Sequence, residues 1–191
     1  MSRLVFIDIE TTGLISGYHE IIEIAIVGHN LQYHKKVKPK NIAIAEQRAL
    51  EINGYSDKAW RYAEEPSIVA EEIAEILKGA RIVGHNPQFD MDFISELLTT
   101  YNQKCFFDRR YIDTITLAYE HLSPLGVDSF SLDACRRFFN WSQIGAHTAL
   151  KDAKDCQRLF YTLLRANRIK KWMWMLHPKL AGLLMLLKYK Y

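Results

Sequence analysis

Two acids stand two residues apart in the stretch FIDIETTGL, at Asp8 and Glu10, directly after the apolar run Leu4-Val5-Phe6-Ile7. That run is partly β-branched and reads as a strand. Side chains alternate along a strand, so Leu4, Phe6, Asp8 and Glu10 share one face and Val5, Ile7 and Ile9 the other. The two carboxylates then lie roughly 7 Å apart at their β-carbons and repel each other when ionised. A fold that keeps them there needs something positive between them. Two further acids are placed oddly. Asp90, in HNPQFDMDF, comes one turn before Phe93 and Ile94, on a stripe that otherwise packs inward. Asp152, in HTALKDA, sits at the start of the last helix, one turn before Cys156. Each has an ordinary explanation as a first-turn acid favoured by the helix dipole, with Thr148 as a cap in the second case. Asp92 reads as a surface acid. His147 belongs to the loop entering the last helix, where a single histidine is commonly structural or solvated.

Taken together, these are four carboxylates on three elements, all near element ends. A set of oxygen donors alone suits Mg²⁺ or Mn²⁺, not zinc. Two such ions about 4 Å apart would absorb the repulsion between Asp8 and Glu10 and clamp an in-line phosphoryl displacement. A histidine on a loop has the intrinsic pKa to take a proton from an attacking water near neutral pH.

The surrounding pattern supplies the elements that must hold these groups. Ile21 to Val27 reads as a second strand and Tyr33 to Lys38 as a third, and the short connections imply an antiparallel meander. A short helix over Ile44 to Ile52 stops at Asn53-Gly54. Pro66 opens another, with Val69, Ile73, Ile76 and Leu77 as its apolar stripe and Gly79 after its end. Arg81 to Val83 is a short strand. Asn86 suits an N-cap and Pro87 the first helical position, with Phe89, Phe93 and Leu97 recurring at helical spacing. Tyr111 to Asp113 reads as a strand, Thr114 to His121 as a helix, Ser123 to Ser129 as a loop and Leu132 to Phe139 as a helix. The last helix carries Ala149, Ala153, Cys156, Phe160, Leu163 and Leu164 on one face. Strands first, then helix and strand in alternation, give an α/β protein with a mixed sheet flanked by helices.

With 191 residues, 49% hydrophobic and 25% charged, the chain has the composition of a globular domain with an ordinary core. Its net charge of +3 leans mildly towards polyanions. Cys105, Cys135 and Cys156 are odd in number and form no C-x-x-C pair, so they are expected to be reduced and buried. That usage, with no signal-peptide pattern at the N-terminus, leads to the expectation of a cytoplasmic protein. The apolar run Leu180 to Leu187 is too short to span a bilayer.

In chain order, DIETTG, HNPQFD and HTALKDA resemble the three exonuclease motifs of the DEDDh (DnaQ-like) 3′–5′ exonucleases, with the five-residue spacing from His147 to Asp152 intact. The stretches ALEINGYSDKAW, YIDTITLA and SLDACRRF look familial too. The resemblance covers roughly Met1 to Arg165 and is greatest to the proofreading epsilon subunit of bacterial DNA polymerase III and its stand-alone relatives. It implies an RNase H-like fold, a five-stranded mixed β-sheet flanked by α-helices, over residues 1–168. It assigns two divalent ions, Mg²⁺ or Mn²⁺, to Asp8, Glu10, Asp90 and Asp152, and the general base to His147. It has Thr11 and Thr12 hold the terminal nucleotide, Leu14 wedge beside its base, Phe89 pack near the same pocket, and His85-Asn86 shape the turn that presents Asp90. The implied substrate is a nucleic acid 3′ end, DNA before RNA. An RNA 3′–5′ exonuclease of oligoribonuclease type shares the chemistry, and an exonuclease-fold binding subunit of a larger complex is the reading from another class. Residues 169–191, with Trp172 and Trp174, form an apolar extension, read either as a helix docking back on the domain or as a partner or self-association surface.

Overall fold

The alternation in the first strand decides how the sheet is covered. The structure, a computed structural model, describes residues 3–166. Its strands are β1 (Leu4–Thr11), β2 (Ile21–Gly28), β3 (Leu31–Lys36), β4 (Arg81–Gly84) and β5 (Asp108–Asp113). Its helices are α1 (Gln47–Ile52), α2 (Pro66–Leu77), α3 (Pro87–Thr100), α4 (Thr114–Leu122), α5 (Leu132–Phe138) and α6 (Ala149–Leu164). The sheet runs β3-β2-β1-β4-β5. The first three strands form the expected antiparallel meander, and β4 and β5 add in parallel.

Val5, Ile7 and Ile9 enter one core with Val69, Ile73 and Leu77 of α2 and Met91, Ile94 and Leu98 of α3. On the opposite face Phe6 packs with Ala25, Val27 and Val83 against Ala149, Ala153, Cys156 and Phe160 of α6. A third cluster, with Ala118, Leu122, Leu132, Cys135, Phe139, Leu159 and Leu163, joins α4, α5 and the other side of α6. Helix α6 is therefore wedged between sheet and helices, and its buried surface is apolar except at Asp152, Asp155 and Thr162. The burial of Phe6, Ile73 or Leu77 contributes on the order of 2–3 kcal/mol each by area removed from water.

β4 pairs with β1 only from Leu4 to Phe6, whereas β2 pairs with β1 as far as Thr11. The half of β1 that carries Asp8 and Glu10 thus outruns its parallel neighbour. The end of β1 lies beyond the carboxyl end of β4, the side on which α/β sheets present ligand sites.

Several details differ from the sequence reading. Asn86 stands at the N-cap position, but its backbone is left-handed (φ +74°) and its side chain makes no cap bond. Its backbone N–H donates instead to Asp113 Oδ1 at 3.2 Å. The chain must turn sharply there, since a Cβ on Gly84 would lie 2.7 Å from Pro87 Cβ. Thr148 precedes α6 without capping it, because its hydroxyl donates to the Gly145 carbonyl (2.8 Å). The third strand starts and ends two residues earlier than its pattern suggested. The segment before Ile52 divides into a 3₁₀ turn, Ile42–Ile44, and α1. Another 3₁₀ turn, Ser123–Leu125, opens the loop after α4. Phe89 and Leu97 are only half-buried, Cys105 likewise, and Leu164 faces solvent. The boundary at 168 and the apolar stretch 169–191 lie outside the described residues. Among the described residues no helix is long and apolar enough to cross a membrane.

Candidate active site

Asp8 and Glu10 project from β1 on the α6 side of the sheet, and the first turn of α6 brings Asp152 to them. Ligand oxygens of Asp8, Glu10 and Asp152 all lie within 4.8 Å of one another. Asp90, from the first turn of α3, lies beyond the end of β4 and is 5% exposed. Its Oδ1 accepts the backbone N–H of Ile9 at 3.1 Å. It takes the place that a further residue of β4 would have filled, and that bond pins the end of α3 to the strand carrying the other acids.

The electrostatics of this cluster are those of acids with too little positive charge near them. Desolvation is the main reason that Asp8 is held well above the ordinary carboxylate range, with repulsion from Asp90, Asp152 and Glu10 adding to it. Glu10 is pushed up to about 8, mainly by burial and then by Asp152, Glu23 and Asp90. Glu23 faces Glu10 directly across the β1–β2 ladder. Asp90 and Asp152 are raised by burial as well, although Arg136 pulls Asp152 back down. Like charges held together in low dielectric are stabilised by bound cations, and the donors present are hard oxygens. The residues fit divalent cations that take oxygen ligands.

His147 ends the loop that leads into α6. Its backbone is left-handed (φ +63°) and its side chain is 49% exposed. Nε2 lies 3.5 Å from Asp133 Oδ2 of α5, so the ring rests against a carboxylate at the rim of the cluster. The sequence reading placed it on the entering loop, and that is where it lies.

The residues expected to grip a substrate are distributed unevenly. Leu14 is 71% exposed and Ile15 is exposed beside it, an apolar pair on the loop after β1. Phe89 is half-buried, with its ring centroid 5.0 Å from that of Phe93. Asn86 is exposed at the mouth of the α3 turn. Thr11 and Thr12 are buried and build the turn itself. Thr11 Oγ1 donates to the Gly13 carbonyl (2.6 Å), and Thr12 Oγ1 accepts from the Glu20 N–H (2.9 Å). Asn53 Nδ2 donates to the Thr11 carbonyl (2.9 Å), and Glu46 N–H donates to the Thr12 carbonyl (2.8 Å), so both ends of the α1 segment are fastened to this turn.

Sequence reasoning missed Arg136. It is wholly buried in α5 and bonds Asp152 directly. The signal was available in SLDACRRF: Arg136 follows Leu132 by four and precedes Phe139 by three, which puts it on the apolar face of that helix. Asp133 is a local partner, three residues before it, but the two buried ones lie 16 and 19 residues downstream, beyond any local pattern.

Known proteins share both the pattern and the architecture. A family model described as Exonuclease matches residues 5–160. The DNA polymerase III PolC-type of Thermotoga petrophila is 32% identical over 164 residues, which cover 83% of this chain and 12% of that protein. The DNA polymerase III subunit epsilon of Treponema pallidum is 26% identical over 82% of this chain and 74% of its own length. Among solved structures, E. coli exonuclease I in complex with a dA16 oligonucleotide superposes with a TM-score of 0.74 at 17% identity, over 93% of this chain and 43% of that one. The chain thus shares the RNase H-like fold of that enzyme, and it spans about an eighth of the PolC-type relatives.

Proposed function

The chain belongs to the Exonuclease family, and from that premise we propose that it removes nucleotides one at a time from the 3′ end of DNA, by metal-dependent hydrolysis of the terminal phosphodiester. The observation that carries this reading is the meeting of Asp8, Glu10 and Asp152, with Asp90 behind them, on three separate elements. Bound divalent ions, Mg²⁺ or Mn²⁺, would acidify the attacking water and neutralise the leaving 3′ oxygen. Asp8, Glu10, Asp90 and Asp152 hold those ions. His147 accepts the proton of the water, and its place on a loop at the rim lets it reach an incoming phosphate. Water adds to phosphorus, the bond to the 3′ oxygen breaks, and a nucleoside 5′-monophosphate leaves. Leu14 and Phe89 flank the terminal base, and the turn built by Thr11 and Thr12 sets the height of that contact, with Asn86 at its edge. Frayed or single-stranded ends are preferred, because the terminal base must leave a duplex to lie beside Leu14.

DNA is favoured over RNA because the relatives carry the names of DNA polymerases and the solved neighbour holds a deoxyadenosine oligonucleotide. The test is incubation of the purified chain with a 5′-labelled, 3′-tailed DNA oligonucleotide and its RNA twin, in Mg²⁺, Mn²⁺ or EDTA. A metal-dependent ladder shortening from the 3′ end is expected, faster on DNA. Asp8→Ala and His147→Ala should each remove most of the activity from a folded protein. A fully active Asp8→Ala protein refutes the assignment. Faster cleavage of the RNA twin moves the reading to an RNA exonuclease, and no cleavage by a folded wild type moves it to a binding subunit.

A further inference from the structure

The side chain of Arg136 is one of the largest fully buried groups in the protein, and three carboxylates surround it. Nη2 donates to Asp152 Oδ1 at 2.5 Å, Nε to Asp155 Oδ2 at 2.6 Å and Nη1 to Asp133 Oδ1 at 2.6 Å. Lys151 also bonds Asp155 Oδ2. Two of the three acids therefore have a cation each, and one negative charge is left over in the group. Asp133 has a second use: its other oxygen, Oδ2, faces His147 Nε2 at 3.5 Å. One planar guanidinium thus ties α5 to α6 at the metal-facing end and reaches both Asp152 and, through Asp133, His147.

We infer that Arg136 is a positioning residue for the metal site: it fixes the Asp152 carboxylate through one oxygen, and through Asp133 it sets the resting place of His147. This inference rests on the proposed metal-dependent reading of the same acids. With Oδ1 bonded to Arg136, the Asp152 carboxylate is fixed in orientation at the place where it would help to hold a metal. Fixation of this kind by an outer partner is a general way of tuning metal affinity. The choice of arginine follows from geometry. A guanidinium presents its donors in a rigid fork and keeps its charge when buried, whereas an ammonium is a point charge that cannot meet three carboxylates at fixed angles. Loss of the arginine alone would leave Asp152 and Asp155 buried without the cation they share, so a stability cost accompanies its removal and the test must separate that cost from an effect on the metal.

The experiment is titration of Mn²⁺ into the metal-free full chain by calorimetry, for wild type, Arg136→Lys, Arg136→Met and Asp133→Ala, with a melting curve of each in EDTA. Arg136→Lys keeps the charge and loses the fork, so Mn²⁺ binding should weaken by about 10–100-fold. The Mn²⁺ concentration for half-maximal nuclease activity should rise with it, while KM for the oligonucleotide stays put at saturating metal. A lower melting temperature with unchanged Mn²⁺ affinity in Arg136→Lys marks a structural role and overturns the inference. So does unchanged affinity in Arg136→Lys with tighter binding in Arg136→Met, which marks a mere repelling charge. If the Arg136 variants do not fold, Asp133→Ala decides. It releases one leg of the fork from a partly exposed site, and both Mn²⁺ affinity and kcat should fall; no change in either refutes the proposal. A wild type that binds no Mn²⁺ at all refutes the metal-dependent reading and this inference with it.

Discussion

The charge stored at Glu10 can be measured by removing it. In the folded, metal-free protein burial and its acidic neighbours push Glu10 from 4.5 to about 8. Below pH 4.5 the folded and unfolded chains both carry the proton. Between 4.5 and about 8 the folded chain keeps a proton that the unfolded chain has released, so stability falls as pH rises through that window. At ~1.4 kcal/mol per pH unit the full interval corresponds to about 5 kcal/mol. Glu10 keeps some solvent access, which screens the charge and reduces the expected figure to about 2–3 kcal/mol. Glu10→Gln keeps the shape and cannot ionise. In EDTA at pH 8 it should therefore be more stable than wild type by about that amount. A chain of this length melts roughly 2–4 °C higher per kcal/mol, so the gain should be roughly 4–12 °C. At pH 5 the two proteins should melt close together. Saturating Mn²⁺ should reverse the order at pH 8, because wild type gains a ligand that the variant lacks. The assay is a grid of melting curves over pH 5–8.5, with EDTA or Mn²⁺. A Glu10→Gln protein that melts at or below wild type in EDTA at pH 8 would show that the cluster is not strained by uncompensated charge, and the case for cations there would lose its electrostatic basis.

Two other substitutions probe different links. Leu14→Ala removes a side chain that is 71% exposed, so the melting temperature should move by under about 2 °C. The oligonucleotide KM should nevertheless rise several-fold in steady-state digestion. An unchanged KM removes Leu14 from the substrate pocket. Gly84→Ala places a Cβ 2.7 Å from Pro87 Cβ and 2.9 Å from its Cα. The turn must give way, and destabilisation of about 1–3 kcal/mol is expected in urea unfolding. Because α3 carries Asp90, calorimetry should also show weaker Mn²⁺ binding; full affinity would mean that Asp90 is held independently of this turn.

Much of this site was legible because its acids break strong local patterns. Asp8 and Glu10 interrupt the apolar face of a strand with period two, and the structure puts Val5, Ile7 and Ile9 on the other side as that period requires. Asp90 and Asp152 interrupt apolar helix stripes in the same way, and both are buried. Local pattern fails where a residue answers to a distant constraint. Asn86 has the right type for a cap, yet Gly84 and Pro87 force a turn in which its side chain does not cap. The resemblance has Thr11 and Thr12 hold the terminal nucleotide; in the structure both hydroxyls are engaged in closing the turn. Arg136 sits at an apolar position of its helix, but its burial as a cation is not legible locally, because two of the carboxylates that keep it inside come from the next helix.

The packing of α6 on β1 and β2 also has a consequence for the life of the chain before it is finished. Among these groups Asp8 and Glu10 are made first, Asp90 next, and Arg136 and Asp152 last. Long-range closures of this kind come late in folding, because the loop entropy must be met before the contacts reward it. Domains fold as units as they leave the ribosome, so a nascent chain that lacks α6 carries three of the acids with no partner helix to complete the cluster. Helix α6 is thus the closing piece of the cluster: the acids of β1 meet Asp152 only once it has packed, and under the proposed function cleavage would have to wait for that step.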